Sequence, residues 1–231
     1  MREWTITPDR FLAKEELGKL LKRAEELRAL GLAKRHKQPV RDWFVIRLAL
    51  LSGLRANEIS NLKVTDLFIG YSRSEIVVRH GKGNRQRVVK IGKDLKGDLR
   101  WYLKWKAENG ELHADAYLLR SQRSERLTRG AVWRRWKQQC PLHRLHDARH
   151  TNATLLLEAS KDLRVVQKQL GHSRPTTTAV YAGIVDERMT EAVNSMELLT
   201  RSALKSKKPT GVPATEIAEP VLLEPSAVAP G

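Results

Sequence analysis

Residues 74–91, SEIVVRHGKGNRQRVVKI, decide the fold class of this chain. SEIVVRH and RQRVVKI are β-branched runs, and the intervening GKGN is turn-forming, so the segment predicts an antiparallel hairpin with Lys82 at its tip. Everything around it reads as helix. Upstream, FLAKEELGKLLKRAEEL (residues 11–27) sets Phe11, Leu17, Leu20, Leu21 and Leu27 on a three-to-four spacing, the mark of an amphipathic helix. A second helix over Asp42–Ser52, with Trp43, Ile46 and Leu50, is apolar enough to be buried on most sides. A short helix follows from Asn57 toward Leu62. Beyond the hairpin, helices are predicted at Leu95–Glu108, Arg129–Gln139, His146–Glu158, Leu163–Leu170, Thr176–Tyr181 and Asp186–Leu199. The expected class is therefore mainly α with a small antiparallel β-sheet, and no repeat at solenoid periods is present.

Lys and Arg total 43 against 26 Asp and Glu, a net charge of +17, which is the footprint of a protein that meets a polyanion. Nucleic acid is the leading partner, although a ribosomal or membrane-surface protein would share this balance. From Lys205 onward five of the nine prolines fall among Gly, Ala and Ser without an aromatic, so residues 205–231 are expected to form a Pro-rich disordered tail. The tail's lysines 205, 207 and 208 cancel its glutamates 216, 219 and 224, leaving the excess charge on residues 1–204. Cys140 is the single cysteine, which excludes an intrachain disulfide or a cysteine metal site and suits the reducing cytoplasm. Apolar runs such as Leu48–Leu51 are too short to span a bilayer, and MREWTITPDR lacks the apolar core of a signal peptide.

Five separated segments carry candidate chemistry: SGLRANEIS around Arg55, HGKGNRQR around Lys82, LHDARHT with His146 and Arg149, LGHSRPTT with His172, and AVYAG with Tyr181. Taken singly, each has an ordinary structural explanation, such as a snorkelling arginine, a solvated turn lysine or a core histidine. Together they supply what phosphodiester transfer through a protein nucleophile needs. Negative charge develops on two non-bridging phosphate oxygens, which planar guanidinium groups match better than ammonium does, so Arg55 and Arg149 would form the clamp. His146 lies one helical turn before Arg149 and shares its face. A tyrosine hydroxyl titrates near ~10 and needs a neighbouring acceptor, for which His146 and His172 are the candidates. A turn lysine such as Lys82 is able to protonate the departing sugar oxygen. Glu58, three residues after Arg55, either orients that guanidinium or forms an ordinary helix-surface pair with it.

In this order, Arg55 with Glu58, the hairpin Lys82, the His146–Arg149 box, LGH at 170–172 and Tyr181 nine residues after His172 resemble the tyrosine recombinase (phage integrase-like) family. The resemblance covers about residues 8–200. It implies a catalytic domain over residues 1–204, in which Tyr181 attacks the scissile phosphate and leaves a 3′-phosphotyrosyl link and a free 5′-hydroxyl. Arg55, Lys82, His146, Arg149 and His172 would assist, with no metal or other cofactor. The N-terminal helical clamp domain usual in the family is expected to be missing. Double-stranded DNA would be the partner, the working assembly a homo-tetramer on synapsed DNA, and accessory DNA-bending proteins possible helpers. The outcome would be integration, excision or inversion. A type IB topoisomerase shares this constellation and link, and a DNA-binding regulator would keep only the basic surface.

In the family, the helix corresponding to Arg129–Gln139 lies in a major groove, so the resemblance also implies DNA contacts, chiefly to phosphate, from Arg134, Arg135 and Lys137. The alternative is a solvated basic face with Trp133 and Trp136 in the core. Met189, Val193, Met196 and Leu199 form one side of the last helix, which would pack in its own subunit or dock on a neighbouring protomer.

Overall fold

A computed structural model describes residues 10–79 and 86–171. Seven helices and one small sheet appear there in the order α1 (Lys14–Ala33), α2 (Lys37–Ser52), α3 (Ala56–Asn61), β1 (Leu67–Phe68), β2 (Glu75–Val78), β3 (Arg87–Lys90), α4 (Lys93–Glu108), α5 (Arg129–Gln139), α6 (Leu145–Ser160) and α7 (Leu163–Leu170). The mainly helical class with a small antiparallel sheet is observed. Lys82, His172, Tyr181, the helices expected at 176–181 and 186–199, and the tail from 205 lie outside the described residues.

The hairpin pairs Ile76 with Val89 and Val78 with Arg87, and β1 adds a third strand, giving the order β1-β2-β3. Sequence reading does not anticipate β1, because two residues are too few to show an alternation. Both α5 and α7 have their predicted bounds. The first two helices are longer than their patterns. α1 runs on to Ala33 although Leu30 and Leu32 are exposed, and α2 begins at Lys37, five residues before Asp42. Pro39 is compatible with that early start because in a first helical turn its missing N–H has no intrahelical partner to lose.

Helix α2 forms the centre of the described residues. Every residue from Val40 to Leu50 is buried, with Trp43, Phe44, Val45, Ile46 and Leu48 fully so. Phe44 stacks on Tyr102 of α4 at 3.9 Å between ring centroids, and Trp43 meets Trp101 edge-on at 5.0 Å. A helix surrounded in this way also buries Arg41, Asp42 and Arg47, and each of them is paired across the fold. Arg41 donates to Glu111 (2.7 Å), Arg47 to Asp98 of α4 (2.7 Å), and Asp42 accepts from Arg135 of α5 (2.6 Å). Burial pushes the Asp42 carboxyl up to about 6 despite the pull of Arg135. No helix among the described residues is long and apolar enough to cross a membrane.

Candidate active site

The site is built at the C-terminal end of α2. Gly53 closes that helix in the left-handed region (φ +63°), where an added Cβ would lie 2.6 Å from Asn152 Oδ1 and 2.9 Å from Leu170 Cδ2. Glycine alone fits both the conformation and the close approach. The chain then turns through Leu54 and Arg55 into α3, which brings Arg55 to the rim of a cavity of about 430 Å³. His146, at the start of α6, lines the same cavity.

Arg149 lies one turn further along α6 and is 1% exposed. Its guanidinium donates to the carbonyl of Gly53 (2.6 Å) and to that of Leu170 (2.6 Å). One side chain thus ties the His146–Arg149 box to the SGLR segment, through a residue 96 positions earlier, and to the LGH segment, through one 21 positions later. A second link, from Asn152 Nδ2 to the Leu50 carbonyl at 2.8 Å, holds α6 against α2.

Glu58 is a buried carboxylate, its side chain 2% exposed, which rules out an ordinary surface pair. Its Oε2 accepts from the Arg55 backbone N–H (2.8 Å) and its Oε1 from Arg55 Nη1 (3.0 Å). A second guanidinium, Arg87 at the start of β3, grips the same carboxylate through Nη1 (2.6 Å) and Nη2 (2.8 Å). Burial by itself would raise this carboxyl, but the Arg87 fork together with Arg55 outweighs it and holds the group down to about 2. Sequence reading misses Arg87, since nothing local links a strand residue to a helix residue 29 positions away.

His146 remains exposed at the cavity, its ring edge-on to His150 at 4.5 Å. Crowding by surrounding protein, then the nearby Arg149 and Arg55 charges, hold its imidazole below the usual value. At neutral pH the ring is therefore uncharged and able to accept a proton.

The α5 residues divide differently from the sequence expectation. Arg134 is exposed. Arg135 is turned inward onto Asp42, its side chain 11% exposed, and Lys137 donates to the Pro141 carbonyl. Trp136 is fully buried, with Nε1 donating to the His143 carbonyl (3.1 Å), whereas Trp133 is 47% exposed. Arg129, Trp133 and Arg144 line the cavity beside Arg55 and His146. The i, i+4 spacing of Arg129 and Trp133 is the signal from which one face could have been read.

Arg55, Arg129 and Arg144 converge with a neutral His146 on one cavity of a mainly helical domain, and their guanidinium groups are suited to an anion. The chain belongs to the phage integrase family, whose model matches residues 10–188. Among curated relatives, it is 35% identical over 192 residues to tyrosine recombinase XerA of Thermococcus kodakarensis, covering 80% of this chain and 65% of that one. It is 32% identical over 167 residues to XerA of Pyrococcus horikoshii, covering 69% of this chain and 56% of that one. The chain thus spans less than two thirds of these relatives' length. A crystal structure of XerA recombinase shares the fold with a TM-score of 0.63 at 24% identity, covering 86% of this chain and 66% of that chain. A XerH site-specific recombinase bound to difH substrate, in a pre-cleavage complex, gives 0.60 at 23% identity over 75% of this chain and 50% of that one.

Proposed function

We propose that this chain is a site-specific DNA recombinase that cleaves and rejoins DNA through a covalent 3′-phosphotyrosyl intermediate. The observation that carries this reading is Arg149, held by Gly53 and Leu170 beside a cavity shared by Arg55 and His146, in a chain of the phage integrase family. Structural neighbours include the XerH site-specific recombinase bound to difH substrate and a lambda integrase dimer bound to a COC' core site, which supports DNA as the partner. In the proposed step the Tyr181 oxygen attacks phosphorus, the bond from phosphorus to the 5′ oxygen breaks, and the phosphate is retained on the tyrosine. The tyrosine proton passes to neutral His146 or to His172, and Lys82 protonates the departing 5′ oxygen. Arg55 and Arg149 neutralise the charge that develops on the non-bridging oxygens.

DNA flanking the site is held by Arg129, Arg144 and Arg134, with Trp133 packed against the sugar edge. A homo-tetramer on synapsed DNA, assisted by accessory DNA-bending proteins, carries out the exchange in the cytoplasm. The test is incubation with supercoiled plasmid and denaturing capture of the covalent adduct, with Tyr181→Phe as control. An adduct in wild type that vanishes in Tyr181→Phe is expected, and one that persists in the variant refutes the assignment.

A further inference from the structure

We propose that Arg87 is a positioning residue that keeps the Arg55 guanidinium available to phosphate by holding Glu58 in a fixed orientation. The proposal rests on the recombinase reading above. Glu58 accepts four hydrogen bonds, which is all that a carboxylate takes. Arg87 supplies the two-pronged fork at 2.6 and 2.8 Å, whereas Arg55 contributes one side-chain bond at 3.0 Å and its backbone N–H. That division leaves most of the Arg55 fork uncommitted to Glu58. Without Arg87, both carboxylate oxygens would be open to Arg55, and a bidentate pair there would turn its donors away from a phosphate and neutralise its charge.

Arg87 is itself held from the other side. Gly171, the last residue of the LGH segment before His172, has φ +67°, and a Cβ there would lie 2.5 Å from Arg87 Cδ. The turn at the end of α7 therefore sits on the arginine's stem. Three residues along the same strand, Gln169 of α7 accepts from the Lys90 N–H (3.0 Å) and donates to the Lys90 carbonyl (2.6 Å). These two clamps join β3, the strand that follows Lys82 in the sequence, to the C-terminal end of α7, and Arg87 extends the junction to Arg55 through Glu58. Its side chain is 12% exposed with both terminal nitrogens on Glu58, so it is not itself set to bind DNA phosphate.

The experiment compares wild type, Arg87→Ala and Arg87→Lys on sheared genomic DNA of the source organism. It reads the adduct formation rate at saturating DNA, the DNA affinity with its salt slope, and the melting temperature. A slight misplacement of a catalytic group costs about 100-fold. Folded Arg87→Ala is therefore expected to lose about that much rate with affinity unchanged, and to recover part of it when guanidinium ion is added at non-denaturing concentration. Arg87→Lys, which keeps charge and stem but not the fork, should fall between. A folded variant of either kind at the wild-type rate overturns the proposal, and if Arg87→Ala does not fold, the lysine variant decides. A defect confined to DNA affinity, with a shallower salt slope, also overturns it, since Arg87 would then be a phosphate contact. Wild-type protein that forms no adduct removes the recombinase reading itself.

Discussion

Gly53→Ala should damage both the fold and the site, whereas Gly18→Ala should strengthen the fold. At Gly53 an alanine must adopt φ +63°, which costs about 1–2 kcal/mol for an L-residue. Its methyl would also press on Asn152 Oδ1 at 2.6 Å and Leu170 Cδ2 at 2.9 Å. Relief requires Asn152 to move, at the expense of its 2.8 Å bond to the Leu50 carbonyl, worth about 1 kcal/mol. The sum is about 2–3 kcal/mol, or a fall in melting temperature of roughly 5–10 °C for a chain of this size. Because the Gly53 carbonyl also anchors Arg149, adduct formation should fall further than the loss of folded protein explains. Gly18 lies inside α1 with nothing within 4 Å of an added Cβ, so alanine there should raise stability by about 0.5–1 kcal/mol. Thermal melts followed by circular dichroism compare the two. A Gly53→Ala protein that melts at or above wild type, or two variants that shift alike, would refute the reasoning.

Further expectations concern charge. Glu58 has a folded pKa of about 2, below its ordinary value of 4.5, so its contribution is complete above pH 4.5 and disappears as pH falls toward 2. Urea titrations across that window should show a loss of up to about 3 kcal/mol in wild type that is absent in Glu58→Gln. Arg135→Ala strands buried Asp42 and should destabilise by about 3–5 kcal/mol, more at pH 7 than at pH 5, because deprotonated Asp42 is the costly form. The salt dependence of binding to duplex DNA should be unchanged in that variant but shallower by about one unit for each of Arg129→Ala and Arg144→Ala. Equal slopes in all three would contradict the proposed DNA face. His146 titrates below its ordinary value, so adduct formation in wild type should hold at pH 6.5 and decline only in more acid solution; a decline already complete by pH 6.5 would exclude it as the proton acceptor.

The helices were legible because amphipathic spacing is a local property. α5 and α7 needed only the Thr128 and Asp162 caps and their flanking turns to set their bounds. The starts of α2 and the end of α1 were less legible, since the residues beyond the apolar stripe are polar or exposed and take their helical state from the packing of neighbouring turns.

By itself, the sequence determined the mainly helical class with its hairpin, the basic charge, and the residue types from which the proposed phosphate site is made, including Arg55, His146 and Arg149. Tertiary structure alone decided which cations remain available. Arg135 and Arg134 are neighbours on α5 with the same chemistry, yet one is turned onto Asp42 from 93 residues away and the other is exposed. Arg87 looks like a strand residue beside a basic turn until Glu58 is brought to it. Ion pairs are chosen by distance in space and by the loss of water on burial, and neither quantity is written in the spacing of residues along a chain.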